Sequence, residues 1–433
     1  MAITLTAHGT STTEELAYRK VTWRILPFLM LCYVVAYLDR VNVGFAKLQM
    51  LSDLKFSEAV YGLGAGMFFI GYFFFEVPSN LIMQKVGARL WIARIMITWG
   101  IISGFFAFVT TEFWFYVLRF LLGAAEAGFY PGIILYLTYW YPSYRRARKV
   151  ALFMTAIPVS GIFGGPLSGW AMESFSGVLG WNGWQWMFLI EAVPAVLLGI
   201  ITLIYLDNGP HYAKWLSDEQ KAMLEHHITE EDREKVEHPS LLALFSDKRV
   251  WHMSAIYFAF VMGQYGITFW LPTLIKSAGV EGVFNIGLLT AIPYIVAVVT
   301  MLLVGASADR TRERRWHLVV PCLVGAFGLT ASAFAAQNTV LALLALCLAA
   351  GGIITCAPLF WSLPTAFLAG TSAAAGIAAV NSVGNLAGFA SPYLIGWIKD
   401  VTQSTDVGLY ILSGILVIGV VLVLATPARL VNK

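Results

Sequence analysis

Four ionisable residues lie inside long apolar stretches of the chain, where a charge needs a physical reason to be present. Asp39 and Arg40 lie in one such stretch, and Arg119 and Glu126 lie in another. A charge at the centre of a membrane-spanning helix costs about 2.5–3.5 kcal/mol on insertion scales. Two positive and two negative charges can neutralise one another. We therefore expect all four side chains to face one shared cavity rather than lipid.

The two arginines indicate recognition of a carboxylate. A guanidinium stays charged in any protein environment and donates paired hydrogen bonds to a carboxylate. We expect Arg40 to hold the substrate, and Arg119 to be masked by Glu126 or Asp39 while those acids are ionised. Protonation of Asp39 and Glu126 would then free positive charge for an anion. Two protons carried with one monovalent anion would gain about 2.3 kcal/mol per 100 mV of membrane potential.

Neutral polar side chains are the candidates for the rest of the substrate. The apolar stretches of the second half of the chain contain no acid or base deep within them, but they contain amides and phenols. In the first half, one tyrosine shares a helical face with Arg40 and another follows a glycine. The predicted contacts of the substrate, besides the two arginines, are Tyr37, Tyr72, Gln264, Tyr265, Asn381 and Asn385, with Asn385 ranked above Asn381.

Two further acids and two tryptophans have a simpler interpretation. Glu76 lies late in its apolar stretch, beside Pro78, and Glu191 lies a turn or two inside another. We expect structural or interfacial roles for both acids. The chain has 15 Trp residues, so packing is the default expectation for Trp270 and Trp361.

The composition requires an apolar solvent. The chain has 433 residues, of which 58% are hydrophobic and 12% charged, whereas soluble domains carry about 25% charged residues. The net charge of +3 gives no argument for a nucleic-acid partner. The four cysteines form no Cys-x-x-Cys pair, so we expect neither a disulfide framework nor a metal site. No cofactor is expected apart from a coupling ion, a proton, with sodium left open.

Twelve apolar runs are long enough to cross a bilayer, which needs about 20 residues. Lipid offers the backbone no hydrogen-bond partner, so these runs must be helices. The predicted spans are about 25–45, 57–83, 89–110, 113–138, 150–172, 185–206, 251–273, 284–305, 317–336, 339–362, 373–397 and 408–427.

The distribution of Lys and Arg predicts the orientation. With the N-terminus inside, the inside segments hold 22 of the 28 basic residues and the outside segments hold four, namely Lys47, Lys55, Lys276 and Lys399. This positive-inside bias predicts a multi-pass protein of the cytoplasmic (inner) membrane with both termini in the cytoplasm.

The chain divides into two similar halves. Residues 207–250 form the one long polar stretch, expected to be a solvated cytoplasmic tether between six-span bundles at 1–206 and 251–433. Within it, Ser217 and Gln220 fit a capping box. Repeated halves are typical of secondary transporters, whose substrate binds between the halves near mid-membrane.

At this point the chain resembles the major facilitator superfamily. Its loop Gly305-x-x-x-Asp309-Arg310-x-x-x-Arg314-Arg315 is similar to the cytoplasmic signature of that superfamily, although Gln84 stands where the first-half copy has an acid. Several segments are similar to the anion:cation symporter family. These are Tyr37-Leu38-Asp39-Arg40-Val41-Asn42-Val43-Gly44, Glu76-Val77-Pro78-Ser79-Asn80, Arg119-Phe120-Leu121-Leu122-Gly123-Ala124-Ala125-Glu126-Ala127-Gly128 and Phe269-Trp270-Leu271-Pro272.

This resemblance implies an all-α fold of twelve transmembrane helices in two pseudo-symmetric bundles. It implies a gating role for Gly305, Asp309, Arg310 and Arg314, proton coupling on Asp39 and Glu126, and anion binding on Arg40. Members of the family are proton- or sodium-driven carriers of sugar acids, tartrate, phthalate, aromatic acids and vesicular glutamate. We accordingly expect a monomeric symporter of a small organic anion.

Other functions remain open at this stage. An organic anion exchanger or a proton-driven exporter is the main alternative, since Gly161-x-x-Gly164-Gly165-Pro166-x-x-Gly169 resembles an antiporter motif. A transporter-like sensor is disfavoured by the short tails. An enzyme is disfavoured because no His-Glu-x-x-His or Gly-x-Ser-x-Gly pattern appears in a suitable setting. The duplicated architecture disfavours a channel.

Overall fold

The computed structural model describes residues 3–233, 247–335, 337–367 and 373–428. Helices are the regular elements of this part of the chain. In chain order they are α1 Ile3–Val41, α2 Val43–Leu54, α3 Glu58–Val86, α4 Ala88–Phe105, α5 Glu112–Glu126, α6 Phe129–Thr138, α7 Ser143–Met154, α8 Ala156–Ser174, α9 Gly183–Tyr205, α10 Asp218–Arg233, α11 Lys248–Ser277, α12 Val283–Thr311, α13 Arg315–Phe334, α14 Thr339–Phe360, α15 Ser362–Phe367, α16 Ala373–Thr402 and α17 Asp406–Ala425.

The transmembrane architecture agrees with the sequence. Eleven helices or helix pairs in the described residues are long and apolar enough to cross a membrane. The remaining predicted span, the eleventh at about 373–397, corresponds to α16, which has 30 residues but includes polar positions such as Asn381 and Asn385. The prediction of an all-α integral membrane protein is confirmed.

The first helix and the linker differ from expectation. α1 begins at Ile3, far ahead of the predicted span, and its early part contacts α10. The Tyr18 hydroxyl lies 3.1 Å from Nδ1 of His227, and the Lys20 ammonium donates to Oε1 of Gln220 over 3.4 Å. The linker up to residue 233 is therefore docked on the first half, so the expectation of a solvated tether is wrong there; residues 234–246 lie outside the described residues.

The predicted capping box at the start of α10 is present. The backbone amide of Gln220 donates to Oγ of Ser217, and the backbone amide of Ser217 donates to Oε1 of Gln220, each over 3.3 Å. These reciprocal bonds satisfy two backbone donors at the helix start.

The fourth span is interrupted immediately after Glu126. α5 ends at Glu126, and Gly128 has a φ of 86° before α6 begins. A Cβ atom at Gly128 would meet the side chain of Ser79 on α3, so glycine is required there for its conformation and for its small size. The interruption places the Glu126 carboxylate at a helix end in the interior of the span.

Two helix pairs join the halves of the chain at close range. α3 packs antiparallel against α16, where a Cβ atom at Gly62 would overlap the backbone of Pro392. α8 packs against α12, with Gly165 facing Gly287 at backbone distance. Small residues let helix backbones approach closely in membranes. We call the first of these contacts the α3–α16 seam.

α11 is the most enclosed of the spans. In its most apolar 18-residue window 94% of the residues are buried, compared with 39% in α9. The polar side chains in its middle part, including Gln264 and Tyr265, are buried as well. They must therefore find partners within the protein rather than in water or lipid.

Candidate functional site

A cavity of about 60 Å³ lies between the two halves, lined by seventeen residues. Pockets that hold small ligands usually have about 300–1,000 Å³, so this cavity is smaller than a usual ligand pocket. Seven predicted substrate contacts line it, namely Tyr37, Arg40, Tyr72, Gln264, Tyr265, Asn381 and Asn385.

Aromatic rings dominate the wall of the cavity, and sequence reasoning missed much of this. Nine of the seventeen lining residues are Phe, Tyr or Trp. Trp361 lines the cavity, whereas packing was expected for it. Phe68 is four residues before Tyr72 on α3, so the helical spacing was a signal that could have predicted Phe68. The other unpredicted aromatic members are Phe69, Tyr130 and Tyr257.

Arg40 is the central charge of the cavity. Its Nη2 forms an ion pair with Oε1 of Glu126, and its Nη1 donates to the Tyr265 hydroxyl over 3.2 Å. The guanidinium lies 5.1 Å from the Phe68 ring and 5.5 Å from the Tyr72 ring, within cation–π range. Nε of Arg40 and Oε2 of Glu126 have no hydrogen-bond partner among the described residues. The pair therefore keeps capacity for a further ligand.

Asp39 faces away from this cavity. Its carboxylate accepts hydrogen bonds from Nε1 of Trp99 over 3.0 Å and from Oγ of Ser103 over 3.1 Å, both on α4. It is buried and forms no ion pair with any described residue. The expected single cluster of four charges is therefore divided, with Asp39 in a separate polar site behind α1.

Arg119 also lies outside the cavity. Its Nε donates to the carbonyl of Gly64 and its Nη2 to the carbonyl of Ala65, each over 3.2 Å. Its Nη1 donates to the carbonyl of Arg40 over 3.4 Å. The expected masking by Glu126 or Asp39 is absent among the described ion pairs, because backbone carbonyls of α1 and α3 occupy the guanidinium instead. Arg119 holds three helices together and does not line the cavity.

Glu76, for which a structural or interfacial role was predicted, lies beside the two cavity asparagines. Nδ2 of Asn381 donates to Oε1 of Glu76 over 3.0 Å, and Nδ2 of Asn385 donates to Oε2 over 3.3 Å. Glu76 belongs to the first half of the chain and both asparagines to the second. In the sequence, only the four-residue spacing from Tyr72 to Glu76 places this acid on a cavity-facing side of α3.

Glu191 occupies another buried site. Its carboxylate accepts from Nδ2 of Asn42 over 3.0 Å and from Oγ of Ser168 over 2.6 Å. It therefore connects α9 with α8 and with the junction of α1 and α2, and it does not line the cavity.

A second group of charges lies at the predicted outer side of the bundle; we call Lys47, Glu58, Lys399 and Asp400 the outer ion cluster. Glu58 pairs with Lys47 over 2.7 Å and with Lys399 over 2.5 Å. Asp400 accepts from the backbone amides of Glu58 and Ala59 at the start of α3, over 3.0 and 2.7 Å. The cluster joins the two halves at one end of the α3–α16 seam.

Comparison with known proteins agrees with this architecture. The sequence profile of the Major Facilitator Superfamily matches residues 29–392. The chain belongs to the major facilitator superfamily. A bacterial homologue of the human lysosomal transporter Spinster has a similar fold, with a TM-score of 0.74 at 17% identity and coverage of 94% of this chain and 96% of that one.

Two bacterial relatives within the superfamily are much more similar in sequence. A Pseudomonas putida protein provisionally named metabolite transport protein NicT is 52% identical, over 98% of this chain and 97% of its own. An Agrobacterium vitis protein provisionally named tartrate transporter is 52% identical, over 95% of this chain and 94% of its own. The protein is therefore a multi-pass membrane transporter of a small organic substrate, and it is not an enzyme.

The predicted gating residues lie at the end of α12 and just before α13. Oδ1 of Asp309 pairs with Nη2 of Arg314 over 2.7 Å. Arg310 lies in the last turn of α12, and a Cβ atom at Gly305 would meet no atom within 4 Å. The Asp309–Arg314 ion pair therefore spans from the last turn of α12 to the start of α13.

Proposed function

We propose that the protein is a proton-coupled symporter that carries a small organic anion across the cytoplasmic membrane by alternating access, with both termini in the cytoplasm. The observation that carries this proposal is the Arg40–Glu126 ion pair at the wall of a cavity lined by both halves. The names of the relatives support a small organic substrate, and one of these names specifies tartrate, an organic acid. The positive-inside bias supports the orientation.

The coupling follows from the burial of Arg40. A buried arginine without a counter-charge costs about 3–5 kcal/mol, so a state with neither Glu126 ionised nor an anion bound is unfavourable. A state with both anions beside one guanidinium is also unfavourable, because the carboxylates repel each other. The favoured states contain one carboxylate, either that of Glu126 or that of the substrate. Binding of the anion therefore accompanies protonation of Glu126.

Asp39 supplies the second proton in this proposal. It is a buried carboxyl held by two neutral donors, Trp99 and Ser103, rather than by a cation. Such a carboxyl gains a proton without breaking an ion pair. Two protons per monovalent anion would make each cycle move one positive charge inward, so that the membrane potential contributes to accumulation.

The test is uptake into proteoliposomes that contain the purified protein, with tartrate and benzoate as labelled probes. We expect an inward proton gradient to drive accumulation and a protonophore to abolish it. Glu126→Gln should lower gradient-driven accumulation at least about tenfold, because a neutral side chain removes the coupled proton. The same variant should retain exchange of internal for external substrate.

The matched control is Glu112→Gln, which changes an exposed acid at the other end of α5. It should leave accumulation unchanged. Uptake that resists the protonophore in the wild-type protein, together with full exchange activity, would instead indicate an anion exchanger and contradict the proposal.

A further inference from the structure

The wall of the cavity contains one charge and many rings, and this composition restricts the substrate. Arg40 is the only charged residue among the seventeen that line the cavity, and Arg119 is engaged by backbone carbonyls. A second carboxylate on the substrate would find no cation there. The nine aromatic residues provide flat apolar surfaces on which another ring can pack.

The end of the cavity formed by Asn381 and Asn385 is rich in hydrogen-bond acceptors. An ionised carboxylate only accepts hydrogen bonds, so Glu76 turns both Nδ2 groups towards itself. The carbonyl oxygens of the two amides are left for other partners. Each oxygen of Glu76 also has a lone pair that the described amides do not use.

Acceptors at this end favour a substrate group that donates a hydrogen bond and disfavour a group that carries negative charge. Glu76 is itself buried, with 8% of its surface exposed. Its charge is thus weakly screened by water and acts on any group bound against the asparagines. A hydroxyl or a ring N–H fits this end, and a carboxylate is repelled from it.

We propose that Glu76 is a specificity-determining residue, and that it selects aromatic monocarboxylic acids whose ring carries a hydrogen-bond donor opposite the carboxylate. Arg40 holds the carboxylate, the rings of the wall hold the aromatic ring, and the Glu76–Asn381–Asn385 group receives the donor. The inference rests on the proposed function, because it needs Arg40 to be the carboxylate site.

The experiment measures competition for uptake in proteoliposomes by three probes: 4-hydroxybenzoate, benzoate and benzene-1,4-dicarboxylate. In the wild-type protein we expect 4-hydroxybenzoate to compete roughly tenfold better than benzoate, as expected for one hydrogen bond to a charged acceptor. The dicarboxylate should compete least well. Glu76→Gln should reduce the preference for the hydroxyl to about twofold or less and should improve the relative competition by the dicarboxylate.

Glu191→Gln is the matched control, since it neutralises another buried acid of the first half whose partners are Asn42 and Ser168. It should leave the ratios between the three probes unchanged. The ratios in the wild-type protein and in Asn385→Ala provide a second measurement if Glu76→Gln fails to fold. In Asn385→Ala we expect a smaller preference for the hydroxyl.

The failure of this inference can be distinguished from failure of the proposed function. If the dicarboxylate competed as well as 4-hydroxybenzoate or better in the wild-type protein, or if the ratios were unchanged in Glu76→Gln, the role of Glu76 would be overturned. If the role of Glu76 were overturned but every probe lost its ability to compete in Arg40→Ala, Arg40 would still be supported as the carboxylate site. Retained binding of every probe in Arg40→Ala would overturn the proposed function and this inference together.

Discussion

The cavity pair is a buried ionic contact and the outer ion cluster is a half-buried one, and they join different parts of the protein. Arg40 and Glu126 both belong to the first half of the chain. In the outer ion cluster, Glu58 from the first half contacts Lys399 from the second. A change in the protonation of Glu126 therefore alters the charge of the cavity within one half. A change in the outer ion cluster alters the contact between halves.

This difference separates two tasks of a transporter. Binding and coupling require a site whose charge can change while the surrounding helices stay packed. Alternating access requires contacts that break when the halves move. The outer ion cluster joins the halves at the predicted outer side, so we expect it to stabilise the conformation in which that side is shut.

The largest effect should follow from loss of Arg40. Arg40→Ala removes the only charged residue among the described residues that line the cavity, and we expect uptake to fall at least about 100-fold, since a paired charge–charge hydrogen bond is worth several kcal/mol. Arg40→Lys should recover part of the activity. Transport kinetics in proteoliposomes measure both. Normal uptake by Arg40→Ala would mean that the cavity pair is structural, like the outer ion cluster.

Arg119 should affect folding rather than selectivity. Arg119→Leu removes three hydrogen bonds to backbone carbonyls, and we expect a destabilisation of about 3 kcal/mol from charged hydrogen bonds of this kind. Thermal unfolding in detergent measures it. The relative affinities of folded Arg119→Leu for different acids should match those of the wild-type protein. A selective loss of anion binding at unchanged stability would place Arg119 back in the binding site.

Asp39→Asn should lower accumulation while sparing exchange. The amide can keep a hydrogen-bonding contact with Trp99 or Ser103, so the fold should be retained, but the proposed second proton is lost. We expect the dependence of uptake on membrane potential to disappear. Uptake at imposed potassium diffusion potentials measures this, and an unchanged dependence would remove Asp39 from coupling.

The smallest effect should come from the outer ion cluster. Lys399→Met removes one ion pair of Glu58, and we expect the outer side to open about fivefold more often, equivalent to about 1 kcal/mol. A cysteine at Thr273, which is buried at this end of α11, would then react faster with an impermeant maleimide. The four native cysteines are buried and give little background. An unchanged labelling rate would remove the cluster from the control of access.

Much of the fold could be predicted because lipid imposes long apolar helices on the sequence. The site was predicted less completely, for geometric reasons. Successive residues of a helix point about 100° apart, and here that step directs Asp39 towards Trp99 and Ser103 while Arg40 lines the cavity. Arg119 was paired with an acid in the prediction because spacing along one helix does not reveal the carbonyls of a neighbouring helix.

Glu76 shows what single-helix patterns cannot provide. Its partners Asn381 and Asn385 are about 300 residues away in the chain, so their contact depends on the packing of α3 against α16. The aromatic wall was missed for the same reason, since Tyr257 and Tyr130 come from helices far apart in sequence. The sequence shows the types of these residues, but it does not show that they line one cavity.

The α3–α16 seam has a mechanical consequence. Glu58 contacts Lys399 near one end, and Glu76 contacts Asn381 eighteen residues further along α3. At 1.5 Å per residue these contacts are about 27 Å apart, close to the thickness of the hydrocarbon core. A single helix, α3, thus connects the proposed specificity residue with the outer ion cluster. We therefore expect a substrate that displaces Glu76 to shift the Glu58–Lys399 contact through α3 itself, without any intermediate loop.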